Sequence, residues 1–253
     1  MADDRVALIT GAGSGIGLAT AQLLAARGLT VALAGRRAEL LEQGAAAIGA
    51  AGGTAYAVPA DLAQRDAPAR LVADVLECAG RLDVIVNNAA SYLLRPVAEF
   101  TPEAFDDHVA VNVRAPYFLV QAALPALRAS PAAVVVNVSS AAAVMYRPGQ
   151  TVYGLTKAAL EHLTMNLASE LAADDIRVVA VRPGPVATEL HARAVADPEP
   201  RLRAIAAMVP LGRLGTAEEV ALWIGHLIDA RAAWVTGTIV AVDGGRVLGS
   251  PGV

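Results

Sequence analysis

A chain of 253 residues, 55% hydrophobic and with a formal charge of −4, has the size and core-forming content of one large α/β domain. The acidic balance argues against a nucleic-acid protein, which carries a basic patch or stripe. A single cysteine, Cys78, rules out a disulfide within the chain, reads as small apolar filler and fits a reducing compartment.

The first residues, Met1-Ala2-Asp3-Asp4-Arg5, are acidic and run straight into an apolar segment, without the basic region and separate apolar stretch of a secretory leader. Residues 129–146 form the longest charge-free apolar stretch, but they hold Pro131, Asn137, Ser139 and Ser140. That composition predicts a buried strand and loop rather than a membrane span. A soluble, cytoplasmic protein with no membrane and no nucleic-acid partner is expected.

Residues 6–9 predict the first strand, followed by the glycine-rich turn Thr10-Gly11-Ala12-Gly13-Ser14-Gly15-Ile16-Gly17 and a helix over 16–27. Residues 30–34 and 54–58 predict strands two and three, with a helix over 38–51 between them. A helix over 68–79 leads to a fourth strand at 84–86. Residues 102–127 are long enough for one extended helix, bent at Pro116. A fifth strand at 134–138, a helix over 152–173, a sixth strand at 177–181, a helix over 217–228 and a seventh strand at 238–242 complete the series.

The strands are continuous apolar runs, the pattern of a parallel sheet covered on both faces. Alternating β and α units imply right-handed crossovers. The expected fold is α/β: a Rossmann-type, doubly wound, seven-stranded parallel sheet with helices on both faces. One dinucleotide-binding and catalytic domain is expected over 1–253, without linker, repeat or low-complexity tail. The irregular region 183–214 holds Pro185, Pro198, Pro200 and Pro210, and 185–210 is the expected substrate lid.

Glycines in the first turn let the backbone turn tightly and let a phosphate come close. The helix N-terminus then offers N–H groups and a positive dipole end to a pyrophosphate. Gly11, Ser14, Gly15, Ile16 and Gly17 are the expected cradle. NAD sites place an acid at the end of the second strand to accept from the ribose 2′-hydroxyl. This chain has Ala34-Gly35-Arg36-Arg37 instead, and two guanidiniums suit a 2′-phosphate. NADP(H) is favoured and NAD(H) stays possible. Arg36 is the stronger candidate, since Arg37 reads equally as the solvated first residue of the next helix.

Lys157 is the one lysine among twenty basic residues, and it follows Tyr153 by four positions in Tyr153-Gly154-Leu155-Thr156-Lys157. On a helix the two share a face. A nearby ammonium favours phenolate over phenol, which suits tyrosine to acid–base work near neutral pH. His108, His162, His191 and His226 are scattered without metal-ligand spacing, so no metal site is expected.

With these motifs in this order, the chain resembles the short-chain dehydrogenase/reductase family over nearly its whole length. Gly11, Gly15 and Gly17 match the family's glycine spacing. Asp61-Leu62 falls where the family contacts the adenine, and Asn87-Asn88-Ala89 matches its motif at the end of the fourth strand. Ser140 stands thirteen residues before Tyr153, and Asn112, Ser140, Tyr153 and Lys157 match the catalytic tetrad. Pro183, Gly184, Val186 and Thr188 match the segment beside the nicotinamide, and Val242-Asp243-Gly244-Gly245 the close of the last strand.

The resemblance implies hydride transfer between NADP(H) and a ketone or secondary alcohol. Ser140 would donate to the carbonyl oxygen and Tyr153 would protonate it. Lys157 would lower the tyrosine pKa and bind the nicotinamide ribose, and the Asn112 backbone would hold a water in a proton relay. Asn88, Ala89, Tyr153 and Lys157 are expected at the cofactor. Ser139 competes with Ser140, but the spacing favours Ser140. The chain departs from the family with Ala90 in place of glycine, and with Thr156 where serine often precedes the lysine.

The segments Gly212-Arg213-Leu214-Gly215 and Glu218-Glu219-Val220-Ala221 resemble the branch of β-ketoacyl-carrier-protein reductases and bacterial secondary alcohol dehydrogenases. That branch implies a homotetramer, with a homodimer as the alternative. Trp223 and Trp234 are expected to pack against a neighbour. Tyr92, Leu94, Met145 and Tyr146 are candidates for the substrate wall, with loop packing the alternative. In the lid, Leu190, Val195, Ile205 and Met208 suggest an apolar ligand, while Arg193, Arg201 and Arg203 suit either an acidic group or solvent. Two rival functions stand beside the reductase: an NAD-dependent dehydrogenase working oxidatively, and a nucleotide sensor without catalysis.

Overall fold

A strand that is apolar at every position has no side to turn to water, and every residue of Val6–Thr10 and of Val134–Val138 is buried. The computed structural model describes residues 4–187 and 198–249. Its strands are β1 (Val6–Thr10), β2 (Thr30–Gly35), β3 (Thr54–Pro59), β4 (Val84–Asn87), β5 (Val134–Val138), β6 (Arg177–Pro183) and β7 (Ile239–Val242). All pair in parallel, in the order β3-β2-β1-β4-β5-β6-β7. The doubly wound seven-stranded sheet expected from the sequence is therefore present.

The helices are α1 (Gly15–Ala26), α2 (Ala38–Ala50), α3 (Ala67–Ala79), α4 (Pro102–Val109), α5 (Ala115–Ala129), α6 (Thr151–Glu170), α7 (Pro198–Ala206) and α8 (Ala217–Ile228). Alternate strand residues feed two cores. Ala7 and Ile9 of β1 join Leu24 of α1, Leu41 of α2 and Ile224 of α8. Leu8 joins Val72 of α3, Leu119 of α5 and Leu167 of α6. Burying each such Leu or Ile fully is worth about 1.5–3 kcal/mol.

The single helix expected over 102–127 is broken. A π-helical turn, Ala110–Arg114, separates α4 from α5. Pro116 has no N–H for the carbonyl four residues back, that of Asn112, and its ring crowds the same carbonyl. Widening the turn absorbs the defect where a smooth bend was expected. Within the region expected to be irregular, α7 begins with Pro198 and Pro200, which a first helical turn accepts.

The crossover after β1 leads to β2, and the chain then returns to the other side of β1 to lay down β4. Loops leaving the carboxyl ends of β1 and β4 thus part, and a crevice opens between them. Every cavity residue discussed below lies on that edge of the sheet or on the segments covering it.

Candidate active site

Two cavities occupy the crevice. The larger, of about 1110 Å³, runs along the ends of β1, β2 and β3. The smaller, of about 490 Å³, lies between the end of β5, α6 and the segment after β6. Ile16, Asn88, Ala90, Tyr92 and Leu94 border both, so the two are continuous.

The larger cavity is lined at its β1 end by the glycine-rich turn. Gly11 and Gly15 take positive φ angles of 66° and 55°. A methyl on Gly11 would stand 2.8 Å from Asn88 Nδ2 and 2.9 Å from Ala89 Cα. That close approach is held by hydrogen bonds: Asn88 Nδ2 donates to Thr10 O (2.9 Å), and the Asn88 and Ala89 N–H groups both donate to Thr10 Oγ1 (3.0 Å each). Gly17 sits behind the cavity rather than on its wall. A methyl there would press on Gly11 O and come within 2.6 Å of Asn88 Nδ2.

The helix ends differ in a telling way. At α8 a full capping box consumes the terminal donors, with Thr216 and Glu219 bonding each other's N–H. At α1 the N-cap residue Ser14 makes no side-chain cap, and its hydroxyl accepts from Arg37 Nη2 at 3.1 Å. The first-turn N–H groups of α1 are left facing the cavity, an anion site by position and dipole. Arg36 and Arg37 stand exposed at the rim beyond β2. Asp61 and Leu62 line the wall beyond β3, with Asp61 Oδ1 accepting from Ala63 N–H at 3.1 Å. A glycine cradle, an open helix end and a cationic rim fit the phosphates of a dinucleotide.

The smaller cavity is built from side chains. Tyr153 and Lys157 lie one turn apart on α6, and both are buried. Lys157 is 2% exposed, and its Nζ donates to Val138 O at 2.8 Å and lies 5.8 Å from the centre of the Tyr153 ring. Burial lowers the Lys157 pKa to about 8. Burial also pushes Tyr153 up to about 12, the Ser140 hydrogen bond opposing and the neighbouring Tyr92 adding. The expected lowering of the tyrosine by the lysine is thus absent in the protein alone, because desolvation dominates and the ammonium points to the Val138 carbonyl. Tyr92 packs edge-on against the Tyr153 ring at 4.9 Å between centroids.

Ser139 and Ser140 diverge as successive strand residues do. Ser139 borders the cavity, but its hydroxyl donates to Glu161 Oε1 at 2.7 Å. Glu161 in turn accepts from Arg182 Nε and Nη2 at 2.7 and 2.6 Å, a partly buried link between α6 and β6. Ser140 lines the cavity, and its Oγ accepts from Ala142 N–H at 3.2 Å.

Asn112 lines neither cavity. Its Oδ1 accepts from Ser91 N–H (2.7 Å), and its Nδ2 donates to Ser91 O and Thr156 Oγ1 (3.0 Å each). Thr156 donates to Tyr153 O at 2.8 Å, so the Asn112 side chain ties the loop after β4 to α6. Pro183, Gly184 and Val186 line the smaller cavity. Thr188, Leu190, His191, Arg193 and Val195 lie outside the described residues, as does the Arg201 side chain. Of the candidates for the substrate wall, Tyr92, Leu94 and Met145 line the cavity, while Tyr146 is 99% exposed and points elsewhere. Ile205 and Met208 line it too.

Sequence reasoning missed three contributors. Gly154 lets α6 touch the wall, since a methyl there would stand 2.7 Å from Ala142 O. Its place directly after Tyr153 was the available signal. Arg147 and Arg246 also line the cavity, and Arg246 directly follows the Gly244-Gly245 pair that was singled out. Among the described residues no group of His, Cys, Asp and Glu is arranged to hold a metal. His108 is buried as a structural residue, with Nε2 accepting from Leu93 N–H (3.1 Å) and Nδ1 placed 2.8 Å from Ala104 O.

Comparison with known proteins agrees with this layout. A family model described as enoyl-(acyl carrier protein) reductase matches residues 11–246. A solved structure described as a short chain dehydrogenase/reductase family protein is 39% identical, with a TM-score of 0.85 over 96% of this chain and 97% of its own. The chain belongs to the short-chain dehydrogenase/reductase family. An uncharacterized oxidoreductase of Thermotoga maritima is 39% identical over 95% of this chain and 96% of that relative. A blue fluorescent protein from a metagenomic library, solved in complex with NADPH, is 30% identical with a TM-score of 0.89 over 96% and 97% of the two chains. The protein is thus an oxidoreductase of a family that binds a nicotinamide cofactor.

Proposed function

We propose that this short-chain dehydrogenase/reductase uses NADP(H) to interconvert a ketone and a secondary alcohol, with Tyr153 as the general acid and base. The observation that carries the reading is the burial of Tyr153 and Lys157 together in a cavity continuous with the glycine cradle. NADP(H), when bound, supplies or accepts the hydride. All other chemistry falls to the chain.

Tyr153, raised to about 12, keeps its proton at neutral pH, as an acid that must protonate a developing alkoxide requires. Ser140, hydrogen-bonded to Tyr153 and facing the same cavity, donates to the same oxygen. Lys157, lowered to about 8, is charged at neutral pH yet close to losing its proton, which suits a relay. The carbonyl of Asn112, deprived by Pro116 of its helical donor, is the acceptor for a water that links Lys157 to solvent. Gly11, Ser14, Gly15 and Ile16 cradle the pyrophosphate, Arg36 and Arg37 hold the 2′-phosphate, Asp61 and Leu62 flank the adenine, and Asn88, Ala89, Pro183, Gly184 and Val186 border the nicotinamide. Gly17 acts through the shape of the turn.

A homotetramer is supported by large apolar side chains left exposed: Tyr117 and Phe118 on α5, Leu155 and Met165 on α6, Leu222 and Trp223 on α8, and Trp234, which is fully exposed. Such side chains, where they gather into patches, mark interaction surfaces, and sedimentation at several concentrations measures the assembly. No helix among the described residues is long and apolar enough to cross a membrane.

The test is initial-rate kinetics on a panel of ketones with NADPH and with NADH. Turnover with a lower KM for NADPH is expected. A lower KM for NADH would remove the cofactor assignment, and no turnover of any carbonyl would remove the reaction.

A further inference from the structure

One corner of the catalytic cavity is charged in a way the hydride chemistry does not use. Arg147, on the loop after β5, and Arg246, just past the glycines that follow β7, both line it. Arg246 is buried, 8% exposed. Its Nη2 lies 3.9 Å from Met208 Sδ, and Arg147 Nη2 lies 3.7 Å from the same sulfur. A thioether is a weak acceptor and carries no counter-charge.

The adjacent carboxylate is already committed. Asp243 Oδ1 accepts from Gly245 N–H and its Oδ2 from Val247 N–H, each at 2.9 Å. Among the described residues neither guanidinium has a carboxylate partner. Burial and then the charge of Arg147 hold the Arg246 pKa below its ordinary value, with Asp243 pulling the other way. Holding a cation out of water beside a like charge is costly unless an anion arrives. Leu94, Ala142, Met145 and Ile205 give the same cavity an apolar part, beside the polar Gln150 and Ser140. The rim that suits a cofactor phosphate, Arg36 and Arg37, belongs to the other cavity.

We propose that Arg147 and Arg246 form an anion subsite for a carboxylate on the substrate, so that the enzyme reduces an oxo acid to the hydroxy acid. The guanidinium fork matches a carboxylate's two oxygens, and a phosphate, which the same fork also fits, is the competing arm of the test. Oxo acid, NADPH and one proton give hydroxy acid and NADP⁺. The carbonyl carbon gains the hydride, its oxygen gains the Tyr153 proton, and the carboxylate is unchanged. The inference rests on the reductase reading for its chemistry and on the arginine pair for its specificity.

The test compares acetoacetate and levulinate with their methyl esters, and with dihydroxyacetone phosphate. It uses kcat/KM for NADPH consumption and, separately, calorimetric affinity for the NADP⁺-bound protein. The acids should surpass their esters in both measurements. Arg246→Met should cut that acid-over-ester ratio by about tenfold to a hundredfold, the worth of hydrogen bonds to a charged group. Arg246→Lys should restore part of the ratio, and Arg147→Met should reduce it less, because Arg147 is exposed. Esters equal to acids, or a ratio unmoved in a folded Arg246→Met protein, would overturn the subsite and leave the reductase intact. Preference for the phosphate would overturn the carboxylate assignment. Tighter calorimetric binding of acids with no turnover of any ketone would do the reverse, sustaining the subsite while removing the reductase reading.

Discussion

The two cavities meet at Asn88 and Tyr92 yet are made by opposite means. The larger cavity draws on the βα connections after β1, β2 and β3 and on the loop after β4, and it combines glycines with exposed arginines. The smaller cavity gathers side chains from the end of β5, α6, the end of β6, α7 and the segment after β7. Its working groups are buried and shifted in pKa. A surface of backbone N–H groups is cheap to maintain, because the helix end supplies them in any case. A buried ammonium beside a buried phenol is not, and long-range hydrogen bonds hold it in place. Asn87 donates to Asn137 (2.8 Å) and Asn137 to Thr164 (2.9 Å), fixing α6 across β4 and β5. Ser139, Glu161 and Arg182 fix it to β6.

The sharpest way to break the contrast is Lys157→Arg. Everywhere else the chain uses arginine, but here the cation is 2% exposed and aimed at one carbonyl. The larger planar group does not fit that slot. We expect kcat/KM to fall by about a hundredfold or more, on the scale of a lost acid–base group. Activity within a few-fold of wild type would show that the slot is not specific.

The rim of the other cavity should respond in selectivity and not in chemistry. Arg36→Asp should shift the NADPH-over-NADH ratio of kcat/KM by about tenfold to a hundredfold toward NADH. Rates at saturating NADH should stay near wild type.

Gly17→Ala tests the backbone construction itself. Alanine inside a helix ordinarily gains about 1 kcal/mol over glycine. Here the methyl meets Gly11 O and Asn88 Nδ2, so overpacking should win and cost about 1–3 kcal/mol. A lower Tm and weaker NADPH binding are expected together, and a raised Tm would contradict the packing.

A separate effect is in the pH dependence of stability. With Lys157 at about 8 in the fold against an ordinary 10.5, the unfolded chain binds the extra proton between those values. Its contribution therefore destabilises below about 8 and is relieved as pH climbs to 10.5. Tyr153, raised from 10.0 to about 12, works the other way: the folded state keeps a proton the unfolded chain loses, and stability falls across that interval. Denaturant unfolding of wild type minus Lys157→Met should show the rise between 8 and 10.5, and a flat difference would deny the lysine's shift.

The same contrast explains what the sequence disclosed. Apolar strand runs and the spacing of Gly11, Gly15 and Gly17 are local patterns, so the sheet and the cradle were legible. The Tyr153–Lys157 spacing was local too, and it located the pair. It did not disclose that burial would raise the phenol, because that depends on Tyr92 and the surrounding walls. Nor did it show that Asn112 faces Ser91 and Thr156, or that 102–127 breaks at a π turn, since both depend on how Pro116 is accommodated against α6. Arg147 and Arg246 meet only through the closure of the last strand, and no spacing rule joins them.

The most direct measurement is single-turnover oxidation of bound NADPH by Tyr153→Phe with a saturating ketone, beside the NADPH Kd of the same protein. The phenyl ring keeps the packing against Tyr92 and removes only the proton donor. An unchanged Kd with hydride transfer slowed by about a hundredfold or more is the predicted result. Transfer at the wild-type rate would contradict the role given to that hydroxyl and, with it, the mechanism.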